Sequence, residues 1–348
     1  MAGCRSRCSG SVRWWGSWER RRTHRGGSMG GATPGRVRVR VPSKVNLFLR
    51  VAGRRDDGYH DLVTVLQTLS IHDTLIASLD VSGASAHPAA RRFMHLAFSA
   101  DGHHGVPSGE DNLAVQAARL LMSRLGIGTG QPDPHHDGPV TRLQLRKQIP
   151  VAAGMAGGSA DAAATLVALN HLWQADLDRE VLRDLAAGLG ADVPFCVGGG
   201  TALATGTGTA TAQVLTRGTY HWVVGVTDAA LSTPEVYRAY DAIGTTTNVE
   251  PDAVLQALRT ADAEALGAAL HNDLEVAAMH LLPGLVAKRD ALLDAGALGA
   301  IVSGSGPTVV GLAGSAQEAL ALAAAVEPVF DRVEIALSPA GGPELASD

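Results

Sequence analysis

A loop of small residues between two regular segments constrains the fold of this chain more than any other feature. Residues 143–146 alternate apolar and polar side chains, which predicts a strand, and residues 162–173 are rich in Ala and Leu, which predicts a helix. The stretch between them ends in Pro150, Val151, Ala152, Ala153, Gly154, Met155, Ala156, Gly157, Gly158, Ser159, Ala160 and Asp161. The sequence therefore predicts a small-residue loop that leads into a helix N-terminus.

Two interpretations of this loop are open from its residues alone. The first N–H groups of a helix have no intrahelical partner, the helix dipole adds partial positive charge, and small residues let a phosphate approach closely. The other interpretation is a tight connection that binds nothing. The loop is not a Walker A motif, because no Gly-Lys-Ser/Thr closes it, and it lacks the Gly-x-Gly-x-x-Gly dinucleotide spacing.

The composition of the chain limits which kinds of molecule it is expected to bind and where it is expected to work. The chain has 348 residues, of which 46% are hydrophobic, so two domains with their own cores are expected. A net charge of −5 gives no bulk signal for nucleic acid, and no apolar run reaches the roughly 18 residues that span a bilayer. The three cysteines, Cys4, Cys8 and Cys196, form no disulfide framework or zinc spacing, which fits a reducing cytoplasm.

Residues 1–35 are predicted to be a disordered basic extension, because they combine many Arg with Gly and Ser and lack the apolar stretch of a secretory signal. A nucleic-acid arm and an Arg-rich transit segment are the alternatives. Met29 is a candidate for the true start, so a chain beginning there is expected to fold and to remain active.

The strand that follows carries two candidate functional residues. Residues 37–41 alternate strictly, Pro42 and Ser43 are predicted to break the strand, and residues 44–49 resume the alternation. Lys44 and Asn46 therefore share one face. They are either the polar face of an exposed strand or, because of the break, the lining of a cleft.

Two other polar positions have alternative interpretations. Asp192 lies among small and apolar residues ahead of Pro194, where a carboxylate is either a helix cap, the interpretation favoured by these residues alone, or a functional group at the base of a cleft. The neighbouring His135 and His136 lack further spaced ligands and are interpreted as solvated rather than metal-binding.

The rest of the chain predicts mixed helices and strands. Helices are expected at 113–125 (after Asn112), 178–189, from 232, at 252–260, 262–270, 272–279, 283–295 and 315–326; strands at 71–76, 220–226, either side of a glycine turn within 299–310, and finally at 329–335; loops at 80–92 and 126–139. Segment 63–69 fits either a strand or a mixed strand and helix.

Three separated segments carry a family resemblance. Residues 42–49 with the Asp-Gly-Tyr-His turn at 57–60, then 157–164, then 303–308, resemble in that order the small-molecule kinases of the galactokinase, homoserine, mevalonate and phosphomevalonate (GHMP) kinase family. The resemblance covers about residues 36–340. The first segment and residues 189–194 resemble in particular the branch that acts on a cytidine-diphosphate-linked methylerythritol.

The resemblance implies a two-domain α+β fold with the active site between the domains. The expected parts are an N-terminal ATP-binding domain of ribosomal-S5-like fold at 36–214, a ferredoxin-like C-terminal domain at 215–340, and a tail at 341–348. The implied reaction is ATP-dependent phosphorylation of the substrate 2-hydroxyl in the non-mevalonate isoprenoid route, with ATP and Mg²⁺ as cofactors. The resemblance does not identify the metal ligands or the oligomeric state.

By the same resemblance, Lys44 and Asp192 fall on catalytic positions. A carboxylate is a suitable acceptor for the proton that an alcohol loses as it attacks phosphorus, and a lysine stabilises charge on the hydroxyl and phosphoryl oxygens. Asn46 is expected to hydrogen-bond substrate. The cytosine is expected to lie between two aromatic rings, with a histidine at its edge; these residues are Tyr59, Tyr237 and His60.

The resemblance also assigns the nucleotide site. Asn112 and Lys147 correspond to positions around the adenine pocket, and the loop from Pro150 to Ala160 is expected to wrap the phosphates, with Ser159 near the β-phosphate or Mg²⁺. The turn of Gly304, Ser305 and Gly306 is expected to pack against this loop and the substrate diphosphate. Family loops are often richer in glycine, whereas this one has Ala152, Ala153 and Ala156, and alanine resists positive φ, which leaves the path near Ala153 open.

Two other functions stay open at this point. A sibling kinase acting on homoserine, mevalonate or a sugar needs no aromatic faces for a base, so Tyr59 and Tyr237 disfavour it. A catalytically inactive family member that serves as a binding module is disfavoured because both Lys44 and Asp192 are present.

Overall fold

The computed structural model describes residues 35–81, 93–101, 105–129 and 139–346. The basic extension predicted for 1–35, apart from its last residue, lies outside these ranges. The same holds for most of the loops predicted at 80–92 and 126–139, including the His135 and His136 pair.

Short runs of strands and short runs of helices follow one another along the chain. The strands are β1 (Arg36–Arg54), β2 (His60–Asp80), β3 (Phe93–Asp101), β4 (Gly128–Thr129), β5 (Val140–Arg146), β6 (Thr201–Gly206), β7 (Ala210–Gln213), β8 (Tyr220–Val226), β9 (His271–Asn272), β10 (Gly299–Val302), β11 (Val309–Ala313), β12 (Arg332–Ser338) and β13 (Glu344–Ala346). The helices are α1 (Leu113–Leu125), α2 (Gly157–Leu172), α3 (Arg179–Ala187), α4 (Val193–Gly198), α5 (Thr233–Ile243), α6 (Asp252–Thr260), α7 (Ala263–Ala269), α8 (Glu275–Leu281), α9 (Gly284–Asp294) and α10 (Ala316–Val326).

A long antiparallel hairpin of β1 and β2 forms the centre of the first sheet. Its strands follow the order β13-β1-β2-β5-β3-β4, while β6 pairs with β2 and with β7, and β9 runs parallel to the middle of β1. The predicted break at Pro42 is wrong: β1 continues through it, with a register shift between Pro42 and Ser43. A proline removes one ladder hydrogen bond, and a bulge accommodates that loss without ending the strand.

Pairing across the chain also corrects other predictions in this sheet. Segments 63–69 and 71–76 belong to one strand, β2. The strand predicted to be last is followed by β13, which pairs with β1 at Arg38–Arg40, so residues 341–348 are not only a tail. Strand β6, which the sequence analysis missed, is built of small residues and forms by pairing with β2. Such strands depend on their neighbours rather than on local propensity.

The second sheet has the order β10-β11-β8-β12, with every pair antiparallel. In chain order this is 2-3-1-4, the arrangement of a ferredoxin-like sheet, and helices α8, α9 and α10 contribute to the core on one side of it. The indole of Trp222 on β8 is fully buried and donates to Ser338 Oγ at 2.8 Å. The predicted α+β fold with a ferredoxin-like C-terminal part is confirmed.

Helix α2 anchors the first sheet. It packs against β1, β2 and α1, so ten of its 16 residues are buried, and five of these are Ala, whose small side chain permits close packing. It begins at Gly157, five residues before the predicted start, so Gly157, Gly158 and Ser159 form its first turn rather than part of the loop. Helix α1 matches its prediction, and the Asn112 side chain caps it by accepting from Ala114 N at 2.8 Å. Within the described ranges, the helices are all too short or too polar to cross a bilayer.

Candidate active site

A cavity of about 860 Å³ lies where β1, the small-residue loop, α4, α5 and the turn between β10 and β11 meet. It brings together predicted residues from distant parts of the chain. These are Lys44, Asn46, Tyr59, His60, Ala152, Ala153, Gly154, Ala156, Gly157, Gly158, Ser159, Asp192, Tyr237, Gly304 and Ser305.

A lysine and a carboxylate face each other at the base of this cavity. The buried ε-amino group of Lys44 lies 3.5 Å from Asp192 Oδ2, and the Asp192 side chain is 34% exposed. Asp192 occupies the N-cap position of α4 but makes no side-chain cap hydrogen bond. The cap interpretation is therefore wrong, because the carboxylate is directed to Lys44 and the cavity rather than to the backbone of α4.

A chain of hydrogen bonds orients Lys44. Its amine donates to Asn46 Oδ1 at 2.6 Å, Asn46 Nδ2 donates to Thr64 Oγ1 at 2.9 Å, and Thr64 Oγ1 donates to the Phe48 carbonyl at 2.6 Å. The alternation along β1 places Lys44 and Asn46 side by side, as predicted. Both polar atoms of the Asn46 amide have protein partners, so this side chain positions the lysine. Its predicted bond to substrate stays a prediction.

The loop ahead of α2 adopts left-handed backbone at two alanines. Ala152 has φ of 53° and Ala156 has φ of 56°, whereas Ala153 is outside this region. An L-residue in this conformation costs about 1–2 kcal/mol. Of the predicted loop residues, Pro150, Val151, Met155 and Ala160 do not line the cavity. Met155 is buried in the core, and its carbonyl accepts from the Lys44 backbone N–H at 3.2 Å.

The turn between β10 and β11 packs on this loop, as predicted. Ser303 Oγ donates to the Gly154 carbonyl at 3.1 Å. Gly154 has φ of 73°, and a Cβ there would lie 2.1 Å from the Ser303 carbonyl oxygen. Only glycine permits this approach. Gly304 and Ser305 line the cavity, while Gly306 does not.

Asn112 and Lys147 are not brought into the cavity. Besides capping α1, the Asn112 side chain donates to the Pro107 carbonyl at 2.7 Å. The Lys147 amine is buried behind Gly157 and contacts two buried carboxylates, those of Asp73 and Asp161. In this structure both side chains are used within the protein, so a direct contact with ATP stays a prediction that needs movement of these groups.

The group of Lys147, Asp73 and Asp161 has unusual electrostatics. Asp73 Oδ1 accepts from the backbone N–H groups of Gln148 and Ile149, at 2.6 and 2.9 Å. Asp161 Oδ1 is buried with no hydrogen-bond partner. Burial raises the pKa of Asp161 to about 8, with Lys147 opposing the rise and Asp73 adding to it. Burial works against the charge on Lys147, but the two carboxylates outweigh it and raise the pKa of that amine.

Aromatic residues line the outer end of the cavity. The rings of His60 and Tyr237 stack with centroids 4.8 Å apart, and His60 Nε2 lies 2.7 Å from Asp241 Oδ1. Burial, with a smaller contribution from the charge of Asp192, raises the pKa of the Tyr237 phenol, which keeps it protonated. Tyr59 is 69% exposed. The predicted sandwich of a base between Tyr59 and Tyr237 is not preformed, because His60 already covers part of Tyr237.

Several functional candidates were missed by sequence reasoning. Asp241 lies four residues after Tyr237 on α5, and this i, i+4 spacing on one helix face was the available signal. Asp161 ends the small-residue stretch 150–161, and its neighbouring residues give no signal of a role. Thr64 and Asp73 gave no local signal, since the partners of Thr64 lie on β1 and those of Asp73 lie in the segment just after β5. Within the described ranges, no group of three or more His, Cys, Asp or Glu side chains is placed to hold a metal ion.

Comparison with known proteins agrees with this architecture. The model of the GHMP kinases N terminal domain matches residues 112–200, and that of the GHMP kinases C terminal domain matches residues 254–331. A 4-diphosphocytidyl-2-C-methyl-D-erythritol kinase of Salinispora tropica is 47% identical over 296 residues, which is 83% of this chain and 87% of that protein. A protein of the same name from Mycobacterium tuberculosis is 42% identical over 320 residues, covering 90% and 94% of the two chains.

Solved structures show the same fold. A crystal structure of 4-(cytidine 5'-diphospho)-2C-methyl-D-erythritol kinase has a TM-score of 0.68 at 32% identity, covering 87% of this chain and 100% of that one. Homoserine kinase from Cytophaga hutchinsonii has a TM-score of 0.67 at 17% identity, covering 92% and 100%, which is a likeness of fold alone.

Fold and site together define a two-domain small-molecule kinase that uses ATP. The chain belongs to the GHMP kinase family and, within it, to the 4-diphosphocytidyl-2-C-methyl-D-erythritol kinases.

Proposed function

We propose that this protein transfers the γ-phosphoryl group of ATP to the 2-hydroxyl of 4-diphosphocytidyl-2-C-methyl-D-erythritol, giving the 2-phosphate and ADP in the non-mevalonate route to isoprenoid precursors. The observation that carries the proposal is the Lys44–Asp192 pair in a cavity whose wall also contains the small-residue loop and three aromatic side chains. The names of the relatives reported above agree with this substrate.

In this mechanism Asp192 acts as the general base. The substrate hydroxyl gives its proton to the Asp192 carboxylate as its oxygen attacks the γ-phosphorus. Lys44 stabilises the carboxylate and the negative charge on the reacting oxygens. The 3.5 Å separation of the two groups leaves them close enough to act as a unit, and the bond to Asn46 fixes the direction of the amine.

The loop and the first turn of α2 supply the phosphate site. The free N–H groups of Gly157, Gly158 and Ser159 and the dipole of this 16-residue helix favour an anion beside them. The Ser303 and Gly154 contact holds the loop against the turn between β10 and β11. A phosphate chain bound here would lie in the same cavity as the Lys44–Asp192 pair.

The donor set of the cavity fits Mg²⁺ as an ion carried by the nucleotide. Mg²⁺ keeps several waters and binds through substrate phosphates and one or two side-chain oxygens, carboxylate or hydroxyl, rather than in a protein cage. We assign the Ser159 hydroxyl as the protein oxygen beside it. When bound, the ion neutralises charge on the phosphate oxygens.

A cytoplasmic location stays a prediction from the cysteine content.

The test is an ATP-consumption assay with Mg²⁺ and three acceptors: 4-diphosphocytidyl-2-C-methyl-D-erythritol, homoserine and mevalonate. The expected result is turnover with the cytidine substrate alone, with a new phosphomonoester signal at the 2-position in ³¹P NMR of the product. Turnover with homoserine or mevalonate and none with the cytidine substrate would assign the protein to another branch. The absence of turnover with all three would favour a binding module.

A further inference from the structure

The carboxylate of Asp241 contacts the imidazole of His60 at the outer end of the cavity. His60 Nε2 lies 2.7 Å from Asp241 Oδ1, and the other oxygen of Asp241 lies 3.9 Å from Arg54 Nη1. Because an ionised carboxylate only accepts, Nε2 of a neutral imidazole must carry the proton and donate it to Asp241. The second ring nitrogen, Nδ1, is then an acceptor.

The stacking of His60 on Tyr237 leaves room beside the imidazole. The centroids are 4.8 Å apart and the planes differ by 21°. Stacked carbon atoms lie about 3.5–4.0 Å apart, so a centroid distance of 4.8 Å means that the rings are displaced sideways. A planar base on the uncovered part of Tyr237 would share the layer of His60 and meet the edge of that ring.

The remaining contacts of the pair restrict its movement. The His60 side chain is 8% exposed, and Asp241 reaches it from the same face of α5 that carries Tyr237. Arg54, at the end of β1, adds a loose ion pair to the far oxygen of Asp241. The imidazole is therefore held in orientation by Tyr237 and in tautomer by Asp241.

We propose that Asp241 is a positioning residue that determines base specificity by fixing His60 as the tautomer whose Nδ1 accepts a hydrogen bond. Cytosine presents an exocyclic amino donor where uracil presents a carbonyl acceptor. An accepting Nδ1 pairs with the first and repels the second. The inference rests on the proposed function, since it takes the cytidine diphosphate substrate as given and adds the residue that selects its base.

The kinetic test compares the cytidine substrate with its uridine counterpart in the unmodified protein and in Asp241→Asn, at about pH 8. An Asn amide can donate to Nε2 and so favours the opposite tautomer, with the proton on Nδ1. We expect kcat/KM for the cytidine substrate to fall about tenfold or more, mainly through KM, because one base contact is lost and its donor is left unpaired. The uridine counterpart should fall less or improve, and KM for ATP should stay the same.

Asp294→Asn is the matched control, because it makes the same change on an exposed residue at the end of α9 that does not line the cavity. It should leave both efficiencies unchanged. If Asp241→Asn lowers kcat/KM for both substrates by the same factor, or leaves the ratio of the two kcat/KM values unchanged, the specificity role is overturned.

A spectroscopic test needs no substrate. Side-chain ¹⁵N NMR distinguishes the two tautomers of imidazole, and comparison with a His60→Gln variant identifies the His60 signals among the 13 histidines. We expect the proton on Nε2 in the unmodified protein and on Nδ1 in Asp241→Asn. An unchanged tautomer overturns the positioning role by itself. Failure of the unmodified protein to phosphorylate the cytidine substrate would instead overturn the proposed function, and the base selectivity with it.

Discussion

The ε-amino group of Lys44, in the middle of β1, lies 3.5 Å from the carboxylate of Asp192 at the start of α4. The two residues are far apart in the sequence. The pair forms because α2 packs on β1 and α4 packs on α2, which carries Asp192 to the open face of the strand. The same face carries Asn46, whose amide oxygen accepts from the lysine.

Loss of the base should harm the chemical step more than binding. We expect Asp192→Asn to lower kcat by roughly 10²-fold or more, the scale of lost general-base catalysis, with KM for ATP little changed. Lys44→Ala should also cripple turnover. The double variant should be far less damaged than the product of the two single effects, because residues that act as a unit are non-additive.

Steady-state kinetics of the three variants checks this, with Asp184→Asn on the exposed face of α3 as the matched control. Near-normal turnover in Asp192→Asn would remove this residue as the base. Full additivity in the double variant would mean that the two groups do not act together.

The exposed ring of Tyr59 should serve binding and not stability. It is 69% exposed, so Tyr59→Ala should leave the melting temperature nearly unchanged. Base-aromatic stacking is worth about 1–3 kcal/mol, so the variant should bind the cytidine substrate more weakly by that amount and ATP equally well. Calorimetric titration measures both affinities. Tyr59→Phe keeps the ring and should bind normally; equal weakening of both ligands would point to a folding defect.

In the loop, removing a methyl group at residue 152 should be favourable, whereas adding one at residue 154 should be harmful. Ala152 is exposed with φ of 53°, so Ala152→Gly relieves strain and should raise the free energy of unfolding by up to about 1 kcal/mol. Gly154→Ala places a Cβ against the Ser303 carbonyl and should separate the loop from the turn, with a rise in KM for ATP. Urea denaturation and kinetics measure these effects.

Ala153→Gly is the matched control for the loop, because Ala153 is outside the left-handed region. It should destabilise the protein by about 0.5–1 kcal/mol through backbone entropy. Equal effects of the changes at 152 and 153 would contradict the strain argument.

The buried carboxyl of Asp161 should make stability depend on pH. Its pKa is raised by burial to about 8, from an ordinary value of 3.8. Between these values the folded protein binds a proton that the unfolded chain releases, so this group's contribution to the free energy of unfolding falls as the pH rises from about 4 to about 8. An Asn side chain does not titrate, so Asp161→Asn should remove this dependence. The free energy of unfolding of the variant, relative to that of the unmodified protein, should therefore be higher at pH 8 than at pH 5.

Urea denaturation of both proteins at pH 5 and pH 8 measures the difference. Parallel pH profiles would contradict the raised pKa. Lys147→Met is the complementary variant, because it leaves Asp73 and Asp161 buried without their cation. Breaking a buried ion pair in this way costs about 3–5 kcal/mol, and the loss should be larger at pH 8 than at pH 5.

Local signals determined much of the architecture from the sequence. The boundaries of α1 and β8 follow from periodicity and, for α1, from the Asn112 cap, which involve only neighbouring residues. The alternation of β1 placed Lys44 beside Asn46, and the small residues at 152–154 and 156–159 marked part of the wall of the cavity. Three separated motifs together were enough to indicate the GHMP kinase family.

Only the tertiary structure decided how the distant segments meet. It turned Lys147 toward Asp73 and Asp161, covered part of Tyr237 with His60, and placed Asp241 behind that imidazole. It also paired β13 with β1 and carried β1 through Pro42. Periodicity and caps are set by contacts a few residues apart, whereas an ion pair, a ring stack or an edge strand depends on the path of the whole chain. The sequence by itself therefore determined which side chains the protein has for its chemistry, and the packing of the two sheets decided which of them face the cavity.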